Sequence, residues 1–201
     1  MFRLQALALA AITFIGTAVA HAATFEIDPV HTTVQFAVRH MMVSNVRGTF
    51  GKVAGTVNLD ETDPTKSSVE ATIDASSIDT REPKRDAHLK GPDFLDVAKY
   101  PTITFKSKRV TKVADNQYQA TGDLTIHGVT KEVVLDVDGS PHTISDPMGN
   151  VKMGGSAHTK INRKDFGIMW SKALDGGGVM VGDDIDITID VELAKKSAPA
   201  A

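Results

Sequence analysis

Between residues 184 and 193 polar and apolar residues alternate without a break. Asp184, Asp186, Thr188, Asp190 and Glu192 take one set of positions, and Ile185, Ile187, Ile189, Val191 and Leu193 take the other. A period of two places successive side chains on opposite faces of a strand, and a helix cannot sort residues that way. One face is committed to a core and the other to water, the mark of an antiparallel sheet. The same alternation carries Val34, Phe36 and Val38, then Val53, Gly55, Val57 and Leu59, then Val69, Ala71, Ile73 and Ala75. It continues through Ile103 and Phe105, Leu124 and Ile126, and Val133, Leu135 and Val137.

Turn-forming stretches separate these runs: Asp60–Glu–Thr–Asp–Pro64, Asp115–Asn116, His127–Gly128 and Ser145–Asp–Pro–Met–Gly149. The spacing predicts about eight strands joined as hairpins. Neither a solenoid repeat nor a βαβ rhythm is present. Closing such a meander into an up-and-down barrel leaves no unpaired edge, and a two-sheet sandwich is the alternative. The inward residues are mostly Val, Ile, Leu and Ala, which fill an eight-stranded barrel poorly, so either an apolar cavity remains or the barrel flattens into a packed core. One segment breaks the pattern. Residues 85–97 read as a short helix, with Pro92 able to open a helical turn and Pro101 ending it. Leu89, Phe94, Leu95 and Val97 on this segment need burial, which suggests a lid on the end of the β structure.

The N-terminus is of another kind. Met1–Phe–Arg3 is a short positive region, residues 4–19 are almost unbroken apolar sequence, and Ala20–His–Ala22 is a small-x-small cleavage site. Residues 1–22 are therefore expected to be a secretory signal peptide, with cleavage after Ala20 as the alternative. The domain is expected over residues 23–195, and residues 196–201 as a disordered tail. The chain has no cysteine. An exported protein without disulfides depends on its hydrophobic core, and roughly 180 residues suffice to build one. The net charge of −3, without clustered Lys and Arg, argues against a nucleic-acid partner.

Catalytic signals are weak. There is no cysteine nucleophile, no Gly-x-Ser-x-Gly elbow and no His-x-x-x-His spacing. His31 and His40 stand at the two ends of one strand, roughly 30 Å apart at about 3.3 Å per residue. A metal site made from His31, His88, His127 and Asp93 needs all four to meet at one barrel end; otherwise these histidines bond loops at strand ends. Gly176–Gly–Gly178 precedes a strand and not a helix, so it reads as a mobile loop and not as a phosphate cradle. Arg163 and Asp165 bracket a turn, as a local charge pair or with Arg163 free for a ligand head group. Met169 and Trp170 are placed at the rim or in simple packing.

At Asp28–Pro–Val–His31, residues 33–40, Gly48–Thr–Phe50, residues 89–105, 122–130 and 161–168, the chain resembles the YceI-like family of exported, lipocalin-like, polyisoprenoid-binding bacterial proteins. The resemblance spans nearly the whole domain. It implies an all-β, antiparallel, eight-stranded lipocalin-like barrel with a short helix near its mouth and an elongated tunnel for an isoprenoid or fatty-acyl chain. It thereby favours the open interior over the packed one. The expected wall is the apolar face: Val34, Phe36, Val38, Val57, Leu59, Val69, Ala71, Ile73, Ile103, Phe105, Leu124, Ile126, Leu135, Ile185, Ile187 and Ile189, covered by Leu89, Phe94 and Leu95. The expected function is a periplasmic or secreted carrier of a long-chain amphipathic lipid. No catalytic residue, no metal and no cofactor beyond the bound lipid is expected. Transient membrane contact and a homodimer are left open. A metal-dependent enzyme on the same barrel, or a ligand-free envelope interaction module, are the competing readings.

Overall fold

A computed structural model of the protein describes residues 22–139 and 142–196. The expected signal peptide, apart from Ala22, and nearly all of the expected tail lie outside the described residues. The strands are β1 (Ala22–Ile27), β2 (Thr33–His40), β3 (Ser44–Phe50), β4 (Val53–Asp60), β5 (Ser68–Asp74), β6 (Ile78–Asp79), β7 (Thr102–Ala114), β8 (Gln117–Ile126), β9 (Val129–Asp138), β10 (Ile144–Ser145), β11 (Val151–Asn162) and β12 (Val181–Lys195). All pairings are antiparallel. β4, β5, β7, β8, β9, β11 and β12 pair in that order, and β12 closes the ring against β1 and β2.

β1 and β2 act as one interrupted strand, as do β3 and β4. Phe25 is opposite Val57, and Val34 is opposite Phe50. The break after β1 is an Asx turn, in which the Asp28 Oδ1 accepts the Val30 amide at 2.9 Å. Counted this way the sheet is a closed eight-stranded barrel. β11 and β12 pair from Lys152↔Ala194 to Asn162↔Asp184 and form its longest seam. The alternating sequence sorts as expected: Ile185, Ile187 and Ile189 turn inward, while Asp184 and Asp190 are exposed.

The only α-helix among the described residues, α1 (Pro83–Lys90), starts earlier than the sequence pattern suggests. Pro83 takes the first helical position, and the Glu82 carboxylate accepts the Lys84 amide at 3.1 Å as the N-cap. Pro92 both ends the helix and opens the turn that follows, in which the Phe94 amide bonds the Gly91 carbonyl at 3.1 Å. The residue before a proline is pushed out of the α region, and Gly91 is extended at φ −79, ψ 178. Residues 91–100 then wind as consecutive turns, with the Leu95 amide bonded to the Leu89 carbonyl and the Tyr100 amide to the Asp96 carbonyl. α1 has no fully buried residue and packs its half-buried Leu89 against the core. It is fastened by Thr80, whose amide and hydroxyl both donate to Asp86 and whose hydroxyl and carbonyl accept from Arg85.

Candidate ligand cavity

The inward faces of the strands enclose an apolar cavity of about 390 Å³. Every position expected on its wall is found there, from Val34 to Ile189 on the strands and Leu89, Phe94 and Leu95 on the lid. Val38, Val57, Val69, Ile73, Leu135, Ile185, Ile187 and Ile189 point inward yet are only half-buried. Inward side chains that keep accessible surface mean that the barrel is not filled, so the packed-core alternative does not hold. The cavity runs from Leu89 to Leu193 across both ends of the barrel. Along β12 alone, Ile185 to Leu193 covers roughly 26 Å at about 3.3 Å per residue.

The two ends are closed differently. Phe25, fully buried, packs with Leu59 and Leu193 beneath the cavity, and the last two also reach its wall. At the opposite end Phe94 and Leu95 (each 8% exposed) come from the turns after α1, with Phe166 and Ile168 beside them. The Phe94 ring lies 5.2 Å from Trp170 and 5.0 Å from His88, and His88 Nε2 is 2.8 Å from the Asp93 carboxylate. Trp170 thus packs on the lid, while Met169 beside it is 62% exposed. Gly128, at φ +73 in the β8–β9 turn, leaves room for the Tyr100 ring that ends the lid, since a Cβ there would collide with it.

Among the described residues Arg163 is the only charged one on the wall, and it is 3% exposed. Its guanidinium donates to the carbonyls of Gly182 (2.8 Å) and Ile168 (2.7 Å) and to Asp183 (3.0 Å). Burial pushes its pKa below the ordinary arginine value, and the Asp183 charge opposes that shift. Its ion-pair partner is therefore Asp183, across 20 residues, and not Asp165 as the turn sequence suggests. Its donors are engaged in tying residues 163–168 to the start of β12, which leaves little capacity for a head group.

His31, His88, His127 and Asp93, which a metal site on these residues would need to meet at one barrel end, do not come together. His88 and Asp93 pair at the lid, His127 packs on Tyr100 at 4.6 Å, and His31, largely exposed, lies near Glu192 outside the cavity. Asp28, His31 and Glu192 do bring their ligand atoms together. The Lys152 ammonium lies among them, 2.8 Å from Asp28 and 2.9 Å from Glu192, and supplies the positive charge those carboxylates call for. Its hydrogen bond, with that of His31 and the Val30 amide, holds the Asp28 carboxyl well below the usual carboxylate range. Lys152 in turn is raised above the usual lysine value, chiefly by Asp28 and then by Glu192.

Residues 25–193 match the YceI-like domain family, most of the chain and the whole barrel. The chain belongs to the YceI-like family. A UPF0312 protein of Vibrio cholerae serotype O1 is 37% identical over 169 residues, covering 82% of this chain and 87% of its own. Among solved structures, a Campylobacter jejuni YceI protein matches with a TM-score of 0.67 and 28% identity, over 95% of this chain and all of that one. A polyisoprenoid binding domain from Saccharophagus degradans, implicated in plant cell wall breakdown, shares the fold with a TM-score of 0.63. It is 14% identical, and the match spans 88% of this chain and all of that domain.

Within this YceI-like barrel, sequence reasoning left out several wall residues, among them Ile27, Phe50, Ile78, Ala120, Ile161 and Phe166. Ala120 keeps the register of Leu124 and Ile126 on β8, so strict extension of the alternation would have found it, whereas Ile161 lies on β11, along which no alternation is read from the sequence. The small residues Gly155 and Ala157 on β11 carry no hydrophobic signal, yet they widen the cavity opposite β12.

Proposed function

We propose that this YceI-like protein is an exported carrier that holds one long-chain amphipathic lipid, of isoprenoid or fatty-acyl type, in its barrel. The half-buried inward isoleucines and valines around the cavity carry this reading. Its volume is within the range of about 300–1,000 Å³ common for small-molecule sites. Covering a hydrocarbon chain there gives about 0.8 kcal/mol per CH₂, so binding requires no polar anchor. The polyisoprenoid named for the Saccharophagus domain is consistent with such a ligand. Among the described residues the wall offers no pair of titratable groups facing a common point, as acid–base chemistry requires, which favours a binding protein over an enzyme.

Export belongs to the same proposal: residues 1–22 act as a cleaved signal, the barrel spans 23–195 in the periplasm, and 196–201 form a tail. β1 begins at Ala22, so cleavage after that residue would leave the strand almost whole. Intact mass of the exported protein should show loss of the first 22 residues; retention of the full chain would contradict it.

Titration of delipidated protein with a fluorescent polyene fatty acid tests the binding function. Ile187→Asp places a carboxylate on the wall at a cost of several kcal/mol if it stays charged. Affinity should fall by tenfold or more, while the outward Val113→Asp (60% exposed in the native chain) leaves it unchanged. Equal affinity in both variants would refute the proposed binding site.

A further inference from the structure

The lid end carries a feature that enclosing a ligand does not require. The β2–β3 hairpin turns through Met41 and Met42, both left-handed at φ 49 and φ 61, with the Val43 amide bonded to the His40 carbonyl at 3.1 Å. Turns of this mirror-image kind favour Asn, Asp and Gly, and other L-residues are strained at such positions. The β7–β8 and β8–β9 turns use Asn116 at φ 59 and Gly128 at φ 73, the latter beside a left-handed His127 at φ 52. Here two methionines take the strained positions with their side chains 43% and 51% exposed, followed by Val43 at 77%. None of the three lines the cavity.

A second loop meets the first. The Met41 amide donates to the Met180 carbonyl at 2.8 Å, and Gly178 lies so close to Met42 that an added Cβ would stand 3.0 Å from its Cγ. Met169, exposed on the same loop, comes directly before the Trp170 that packs on the lid. Just behind the tip, the Arg39 guanidinium donates to the Met42 carbonyl at 2.9 Å. Arg47 is exposed one outward position further along β3. Neither arginine has an acidic partner among the described residues.

We propose that this end of the barrel docks on a lipid bilayer. Met41, Met42, Val43 and Met169 enter the boundary between head groups and acyl chains, Arg39 and Arg47 face lipid phosphates, and the lid faces the membrane. The inference rests on the carrier function and specifies where its cargo is exchanged. A tip of three consecutive exposed apolar residues buries itself by penetrating a soft medium, and guanidinium groups without an acidic partner beside it match phosphate chemistry. A second copy of the chain would have to offer acidic partners to both arginines.

The test is co-sedimentation with vesicles of phosphatidylethanolamine and phosphatidylglycerol. Met42→Asp with Val43→Asp should weaken vesicle binding by tenfold or more, and Arg47→Gln by about fivefold at low salt. Ile144→Asp with Met148→Asp, exposed apolar positions away from the lid, should leave it unchanged. Polyene affinity without vesicles should be the same in all these variants, since none of the positions lines the cavity. Intact polyene binding together with absent or tip-independent vesicle binding overturns the docking proposal and leaves the carrier function standing. Absent polyene binding together with tip-dependent vesicle binding does the reverse. A dimer in vesicle-free solution that the tip variants abolish would make a second copy the occupant and would also overturn docking.

Discussion

The floor and the lid close the same cavity with different materials. At the floor, Phe25 is fully buried between strands, and β1 pairs there with both β4 and β12. Lys152 adds a bridge between residues far apart in sequence, from Asp28 to Glu192. At the lid, residues 91–100 pair with no strand and are held mostly by hydrogen bonds among themselves and to the end of α1. Phe94 rests on the rings of Trp170 and His88, which also belong to the end structures and not to the barrel wall. A segment with local bonds can open without unfolding the barrel, whereas loss of the floor disrupts three strands at once. The floor should therefore set stability, and the lid the rate of ligand exchange.

Phe25→Ala should have the largest effect on stability. It removes a fully buried ring and should cost about 3–5 kcal/mol in denaturant unfolding. Polyene release from the remaining folded protein should change little. A cost below about 1 kcal/mol would remove the contrast between the two ends.

Phe94→Ala should show the opposite balance. Stability should fall by about 1–3 kcal/mol, below the usual range for a core phenylalanine, because one side of the ring faces open space. Polyene dissociation, followed by stopped flow, should accelerate by about tenfold as the exit opens. A large stability loss with unchanged dissociation would make this segment core and not lid.

The smallest effect expected is at the ionic part of the floor. Asp28 has a depressed carboxyl pKa in the folded state. Its contribution is therefore present above the ordinary value of 3.8 and is lost as the pH falls through the lower folded value. Lys152 is shifted upward, so its contribution is fully present below 10.5 and is lost only at higher pH. Between about pH 5 and pH 10 the network is intact. Lys152→Met should lower Tm modestly in that window and flatten the fall in Tm below pH 4, while polyene release stays unchanged. An equally steep acid fall in variant and native protein would show that the bridge contributes nothing to the floor.

The strands and the cavity wall were legible because alternation is a local signal: β12 announces its inward face residue by residue. The lid was legible in its apolar residues, Leu89, Phe94 and Leu95, but not in its conformation. A proline serves equally well to start a helix or to end the preceding one. Pro83, with Glu82 before it, starts α1, and Pro92 ends that helix while opening the turn after it. The charge pairs were not legible at all. Arg163 finds Asp183 and not Asp165, and Lys152 crosses to Asp28, because strand register brings together residues that no local pattern connects. The same holds for the rim, where Met41 and Met42 stand out only once their backbone angles are known.

Solvent extraction of natively purified protein, followed by mass spectrometry, tests most directly whether the cavity holds a lipid. The expected result is close to one equivalent of a long-chain isoprenoid or acyl lipid per chain, lost in Ile187→Asp protein purified in parallel. Extracts of the two proteins that carry the same traces of lipid would contradict it.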